Sequence, residues 1–278
     1  MTGSIRTAWL FLLPLAVLMG ASYVAPLFGS AVNSLHPNTP AGIDAGTWTL
    51  DNYARLNDPL LGDVVWRTLR IGAAVTGISA LLAYPVALWI GRRRPRAQAW
   101  LLLAYISPWL VNTVVKAFGW MLLLRNNGVL NTLLIQGGII GRPLRLMLSE
   151  TGVAIALLPG HFMFVLLPLW AALGGLDPAL RWAAGTLGAR PMAVFRHVVL
   201  PLTLPSLVAG LVVNFIMNVT AFAIPALLGG VRNEVVSMTA YQTSLVMFNW
   251  PAGAALAMAL LAGTLLLVWA GQRLVRLA

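Results

Sequence analysis

Few residues in this 278-residue chain belong to the types that make or break covalent bonds. There is no cysteine, which excludes thiol catalysis, disulfides and cysteinyl metal or iron–sulfur sites. The three histidines, His36, His161 and His197, lie in different segments, and no cluster of His, Asp and Glu has ligand spacing, so no metal site is expected. The glycine pairs Gly137-Gly138, Gly174-Gly175 and Gly229-Gly230 lack a following Lys-Ser/Thr, so the sequence carries no phosphate-cradling loop. What remains is a set of polar groups embedded in apolar runs: Asn112 and Lys116, His161 after Pro159-Gly160, and Asn214, Asn218 and Thr220. Such groups are costly at membrane depth and either line a cavity or bond a neighbouring helix. The chemistry they suit is reversible contact with a passing polar solute. Each has a plainer alternative, in which Lys116 snorkels to the headgroups and the histidine and asparagines join helices.

The elements that hold these groups follow from composition. With 59% hydrophobic and 9% charged residues, the chain cannot cover a water-soluble globule and cannot be a disordered polymer. An all-α integral membrane protein is expected, embedded in lipid, and its formal charge of +11 records topology rather than a nucleic-acid partner. Six stretches are apolar over about the 20 residues a helix needs to cross the hydrocarbon layer. They run from Thr7 to Val32, Ile71 to Gly91, Ala97 to Leu124 interrupted by Lys116, Thr151 to Leu173, Pro201 to Leu228, and Ala252 to Trp269. The first is too long for a secretory signal and lacks a clear cleavage site, so it reads as a retained span.

An even number of spans places both termini on one side. That side holds Arg6, Arg92, Arg93, Arg94, Arg96, Arg181, Arg190, Arg196, Arg273 and Arg276 with a single acid, Asp177. The other side carries Arg55, Arg67, Arg70, Arg125, Arg142, Arg145 and Arg232 with Asp44, Asp51, Asp58, Asp63, Glu150 and Glu234. Both termini are therefore expected in the cytoplasm, with the Arg92 to Arg96 cluster as the main determinant. Residues 33–63, rich in Pro, Gly, Asn and Asp, read as an outer loop with an interfacial element. Trp109, Trp120, Trp170, Trp250 and Trp269 fall near predicted boundaries, as interface anchors do. No repeat or separate soluble domain is visible, so residues 1–278 read as one transmembrane domain.

The link between the fourth and fifth spans, about residues 174–200, is longer than adjacent antiparallel helices require. Asp177 and Pro178 form an N-cap and first-turn pair, because the carboxylate can accept from free backbone N–H groups and proline has none to leave unsatisfied. The helix they start should stop at Gly188, where a left-handed residue is needed, and Arg190-Pro191 should start another. Leu180, Ala183, Ala184 and Leu187 gather on one narrow face of small and medium side chains suited to close docking.

Within this link, Trp182-Ala183-Ala184, three residues, Gly188, nine residues, Val198, one residue and Leu200-Pro201 resemble the EAA signature of permease subunits of binding-protein-dependent ABC importers. The stretches WRTLRIGAAVTGISALLAYPVALWI, SPWLVNTVVKAFGWMLLLRNNGVLN, PALLGG and NWPAGAALAM are similar to the spermidine/putrescine branch of that family, and the similarity runs from about Thr49 to the end. The resemblance implies a type I importer fold, with six transmembrane helices and a cytoplasmic coupling helix between spans four and five. Trp182, Ala183, Ala184, Leu187 and Gly188 would couple to the ATPase. It also implies the assembly: a bacterial inner-membrane permease with an ATP-binding subunit dimer, a second homologous permease forming a heterodimer, and an extracytoplasmic solute-binding protein. No cofactor is expected on this chain, since ATP and magnesium belong to the ATPase, and no enzymatic activity.

One departure stands out: the signature usually begins with Glu, and here Trp182 replaces an ionic contact with a large apolar surface. Cargo is less legible. The resemblance points to a polyamine, whereas Lys116 and the lack of a carboxylate inside the predicted spans suit an anionic or zwitterionic solute such as a phosphonate or opine, with ferric iron a further alternative. An ion-driven secondary transporter would call for intramembrane acids, and an integral-membrane enzyme for a converging catalytic constellation; neither pattern is present in the sequence.

Overall fold

The computed structural model describes residues 13–40 and 42–277. Its longer helices, in chain order, are α1 Leu13–Asn33, α2 Pro59–Gly91, α3 Pro95–Ile106, α4 Thr113–Leu124, α5 Val129–Gln136, α6 Glu150–His161, α7 Met163–Gly174, α8 Pro178–Thr186, α9 Pro191–Val219, α10 Ala223–Leu228, α11 Val236–Tyr241 and α12 Trp250–Leu277; a single turn of helix, Asp51–Ala54, precedes α2. A single two-stranded hairpin, Asn38–Thr39 with Gly42–Ile43, is the only sheet among the described residues. Five helices are long and apolar enough to cross a membrane, or six if one bent pair counts as a single span.

That bent pair corrects the third expected span. Instead of one helix from Ala97 to Leu124, the chain makes two apolar pieces, Pro95–Leu110 and Thr113–Gln136, bent by 98° at the break. The cause is local. Val111 and Asn112 are extended, and the Asn112 side chain accepts from the Val114 N–H (2.8 Å), so it caps a new helix where an uninterrupted one would have needed its backbone helical. The second, fourth and sixth expected spans extend beyond their charge-free cores. Helix α2 begins at Pro59, capped by the Asp58 carboxylate on Leu60 N–H (2.9 Å), and carries Asp63, Arg67 and Arg70 before the stretch read from Ile71. Helix α9 starts at Pro191 and ends at Val219, so the segment expected to reach Leu228 is interrupted by Thr220 and resumed by α10. The part of the first span before Leu13 lies outside the described residues.

Two compact units divide the chain. Of the described residues, the smaller holds 13–40, 42–62 and 239–262. In it the loop after α1 is ordered by polar contacts: Asn52 donates to the carbonyls of Ser34 (2.9 Å) and His36 (2.8 Å), and the His36 ring meets Thr47 O (2.7 Å) beside Trp48. The larger holds residues 63–238 and 263–278 and contains two apolar clusters. In one, Ile71 and Val75 of α2 pack with Ala117 and Leu124 of α4, Val153 and Leu157 of α6, and Ile224 and Leu228 of α10. In the other, Ala83, Ala87 and Ile90 of α2 pack with Val165, Leu166 and Leu169 of α7 and with Val199 and Leu207 of α9.

Without a hydrophobic gain between helices already in lipid, close backbone approach is a main source of association. Gly210 supplies it between α9 and α7: a Cβ there would lie 2.7 Å from Phe164 O and 3.0 Å from Val165 Cα, both backbone atoms with little room to give. Gly210→Val should therefore force the two helices apart at a cost of about 1–3 kcal/mol. A lowered midpoint of thermal unfolding for the purified membrane protein checks this, and an unchanged midpoint would show the contact to be slack.

Candidate functional site

Two regions carry the polar and exposed groups. The first is the segment from Leu176 to Arg190. Its helix α8 opens with the Asp177 carboxylate accepting from Ala179 N–H (2.8 Å) and with Pro178 in the first turn. It closes with Gly188 at φ 80°, where the N–H of Gly188 meets Gly185 O (3.0 Å) and that of Ala189 meets Ala184 O (3.1 Å). Arg190 and Pro191 then start α9. Leu176 packs against the second apolar cluster, but the larger apolar side chains beyond it are open: Trp182 is 77% exposed and Leu187 88%, as is Met192 at the start of α9 (74%). Ala183 and Gly188 are likewise exposed, and Ala184 is half-buried. The segment is thus a short, doubly capped helix and turn whose large apolar groups lie open.

The second region is the break between α3 and α4. A cavity of about 350 Å³ opens there, lined by Tyr105, Pro108 and Trp109 on one side, by Thr113, Lys116, Trp120 and Leu123 of α4, and by Pro159, Gly160, His161 and Met163 at the junction of α6 and α7. Lys116 and His161, read separately from the sequence, are brought together in it. Asn112 is not: its backbone is extended and its side chain is used as the α4 cap, so it does not share the helical face of Lys116 that an uninterrupted span would have given it. The Tyr105 hydroxyl donates to Pro159 O (2.9 Å) across the cavity wall.

Behind His161 lies a closed polar cluster. Asn214, fully buried, donates to His161 O (2.7 Å); its Oδ1 accepts from the Thr76 hydroxyl (2.9 Å) and from Asn218 Nδ2 (2.9 Å); and Asn218 Oδ1 faces His161 Nδ1 (2.7 Å). The two asparagines, candidates for solute contact on sequence alone, are thus occupied in joining α9 to α2 and to the α6–α7 junction. Thr220 stands apart, its hydroxyl donating back to Ile216 O (2.7 Å).

Several participants escaped the sequence reading. Thr76 gave no signal, being one hydroxyl in an apolar run. Trp109 and Trp120, assigned to the membrane interface, line the cavity. The spacing of Thr113, Lys116, Trp120 and Leu123 on one helical face could have revealed it. An ion-pair group was also missed: Glu150, first residue of α6, holds Arg67 Nε (3.3 Å) and Arg70, while Arg67 also donates to Glu234 O (3.1 Å). Among the described residues no group of three or more His, Asp or Glu side chains could hold a metal.

Comparison with known proteins adds the following. The profile of the family described as binding-protein-dependent transport system inner membrane component matches residues 83–277. The spermidine/putrescine transport system permease protein PotB of Haemophilus influenzae is 33% identical over 225 residues, covering 81% of this chain and 79% of the relative. A chain of the bacterial alginate ABC transporter, in a crystal structure with a pentasaccharide-bound periplasmic protein, superposes with a TM-score of 0.80 over 99% of this chain and 97% of its own, at 17% identity. A chain of the MetNI methionine ABC transporter in an inward-facing conformation superposes with a TM-score of 0.59 over 79% and 98%, at 20% identity. At these identities the structural likeness speaks for the fold alone.

The polar cluster has a direct consequence. Asn214→Leu would leave His161 O without its side-chain donor, the Thr76 hydroxyl without its acceptor, and the Asn218 amide with only its longer contact to Thr76 (3.4 Å), and each buried group left unsatisfied costs about 1–3 kcal/mol. A clear loss of thermal stability is expected, larger than that for Thr220→Val, whose hydroxyl bonds only within its own helix; equal effects would remove the cluster from its joining role.

Proposed function

The chain belongs to the binding-protein-dependent transport system inner membrane component family, and from that premise we propose that it forms half of the translocation pathway for a polyamine. It is a permease subunit of an ABC importer with the type I fold. The family component carries transport rather than catalysis, so no catalytic residue is assigned, and ATP and magnesium are placed on the ATPase. In this reading residues 1–278 work as one permease domain with both termini in the cytoplasm. It pairs with a second, homologous permease, an ATPase dimer engages its cytoplasmic face, and a binding protein delivers cargo from outside.

The observation that supports the coupling assignment is the capped helix α8 and the turn that follows it, with Trp182, Leu187 and, at the start of α9, Met192 exposed. Trp182, Ala183, Ala184, Leu187 and Gly188 form the handle. Because the segment's one acid, Asp177, is engaged as a cap, the grip is apolar, and the receiving cleft on the ATPase must offer an apolar pocket for Trp182. ATP favours the closed ATPase pair, closure moves α8, and α9, which continues from it, carries the movement into the bundle; nucleotide shifts the populations of access states because it binds one of them better.

Polyamine cargo is supported by the relatives named for spermidine and putrescine and by the aromatic rings of Tyr105, Trp109 and Trp120 around the cavity. An anionic or zwitterionic solute is the second reading, favoured by Lys116 in the same cavity. For a cationic cargo, Lys116 has a different use: like charge keeps the transient site weak, which suits a site that must release. Lys116, His161 and the aromatic rings are the proposed lining, with Asn214 and Asn218 supporting it from behind and Asn112 and Thr220 at helix ends. An ion-driven carrier gains nothing from the structure, since Glu150, a carboxylate at the start of a long apolar helix, is neutralised by Arg67 and Arg70.

Two measurements test this. Gly188→Val places a β-branched residue at φ 80° and should abolish uptake while ATP hydrolysis continues in the assembled transporter. Uptake at the wild-type rate would refute the handle. Lys116→Ala should lower the half-saturation concentration for polyamine uptake severalfold and slow the maximal rate; unchanged transport would place Lys116 off the path.

A further inference from the structure

The buried cluster behind the cavity fixes the proton of one ring. His161 O is a backbone carbonyl and can only accept, so the Asn214 group 2.7 Å away is the Nδ2 amide. Asn214 Oδ1 then faces Thr76 and Asn218 and can only accept, so Asn218 turns Nδ2 towards it (2.9 Å). Asn218 is left presenting Oδ1 to His161 Nδ1 (2.7 Å), and an oxygen acceptor there requires the proton on Nδ1. In the neutral ring Nε2 is therefore bare, an acceptor. Among the described residues no hydrogen bond occupies Nε2, and no buried side-chain polar atom lacks a partner, so Nε2 is accessible, and the residue lines the cavity.

We propose that His161 is a specificity-determining residue, accepting through Nε2 a hydrogen bond from an N–H donor on the cargo, and that Thr76, Asn214 and Asn218 are the positioning residues that hold it in that tautomer. The inference rests on the reading that this cavity lies on the cargo's path, and it names the cargo's chemical class. A protonated amine supplies the donor and places its charge against the faces of Tyr105, Trp109 and Trp120. A fully ionised carboxylate or phosphonate group offers only lone pairs and would meet another lone pair at Nε2, so a zwitterion would have to turn its ammonium group to the ring. The relay gives His161 a direction that a lone histidine lacks, because its orientation is traced back to a main-chain carbonyl that cannot rotate its role.

Two readouts on the assembled transporter in lipid nanodiscs and proteoliposomes test it. With ¹⁵N-labelled histidine, the His161 signals, assigned by their loss in His161→Gln, should show a protonated Nδ1 and an unprotonated Nε2; a protonated Nε2 in the neutral ring overturns the proposal. With radiolabelled putrescine delivered by the cognate binding protein, His161→Phe should raise the half-saturation concentration about tenfold. His161→Gln, whose carbonyl oxygen can replace the acceptor, should recover most of that loss. Equal half-saturation for wild type and His161→Phe contradicts the inference alone, whereas a wild-type transporter that takes up no amine contradicts the cargo reading beneath it. If His161→Phe fails to assemble, the tautomer measurement on the wild type still decides.

Discussion

A polar group inside a lipid-embedded bundle has no water to fall back on, so whatever it bonds to becomes a fixed point of the architecture. Asn214 is where this constraint is most concentrated. Its amide is fully buried and serves three partners, Thr76 on α2, His161 at the junction of α6 and α7, and Asn218 one turn on along α9. Three stretches of chain far apart in sequence are pinned at one point, and the cavity beside His161 has a rigid back wall. Gly210, one turn earlier on α9, lets α9 and α7 approach backbone to backbone. Polar anchoring and close packing thus act on neighbouring turns of α9.

Helix α9 connects the two regions of interest. It begins at Pro191, directly after the exposed segment around α8, and reaches Asn214 and Asn218 near its far end. At 1.5 Å per residue the distance along it from Pro191 to Asn214 is about 35 Å. A helix of that length, fixed at Asn214 and free of partners at Trp182 and Leu187 just before its start, has the form of a lever. The anchored end sits behind the cavity, and the exposed end is the one proposed to engage the ATPase.

Much of this was legible in the sequence, and the reasons it was differ by element. Asp177, Pro178, Gly188, Arg190 and Pro191 could be read because caps and positive-φ glycines are local effects that a few residues dictate by themselves. The apolar runs located the long apolar helices, but charge-free length misplaced several of their ends. Asp63, Arg67 and Arg70 continue α2 because Glu150 neutralises the arginines, a partner eighty or more residues away that no window contains. The bend at Val111 and Asn112 was missed because hydropathy does not register backbone geometry, although Ser107-Pro108 and a capping asparagine marked the place. Lys116 and His161 were singled out individually, but their meeting in one cavity is a product of tertiary packing. Asn214 and Asn218 were recognised as sharing a face; that the face is sealed by Thr76 depends on a hydroxyl with no distinguishing context.

Coupling as proposed requires that α8, the exposed helix just before α9, be grasped by a separate ATP-hydrolysing subunit. Because the chain has no cysteine of its own, one introduced at Ala183 gives a unique reactive site on that helix. A short bifunctional crosslinker applied to the membrane-assembled transporter should join this position to the ATP-binding subunit, with a yield that changes between nucleotide-free and ATP-bound states. Adducts confined to the permease itself, in both nucleotide states and with the ATPase present, would contradict the account.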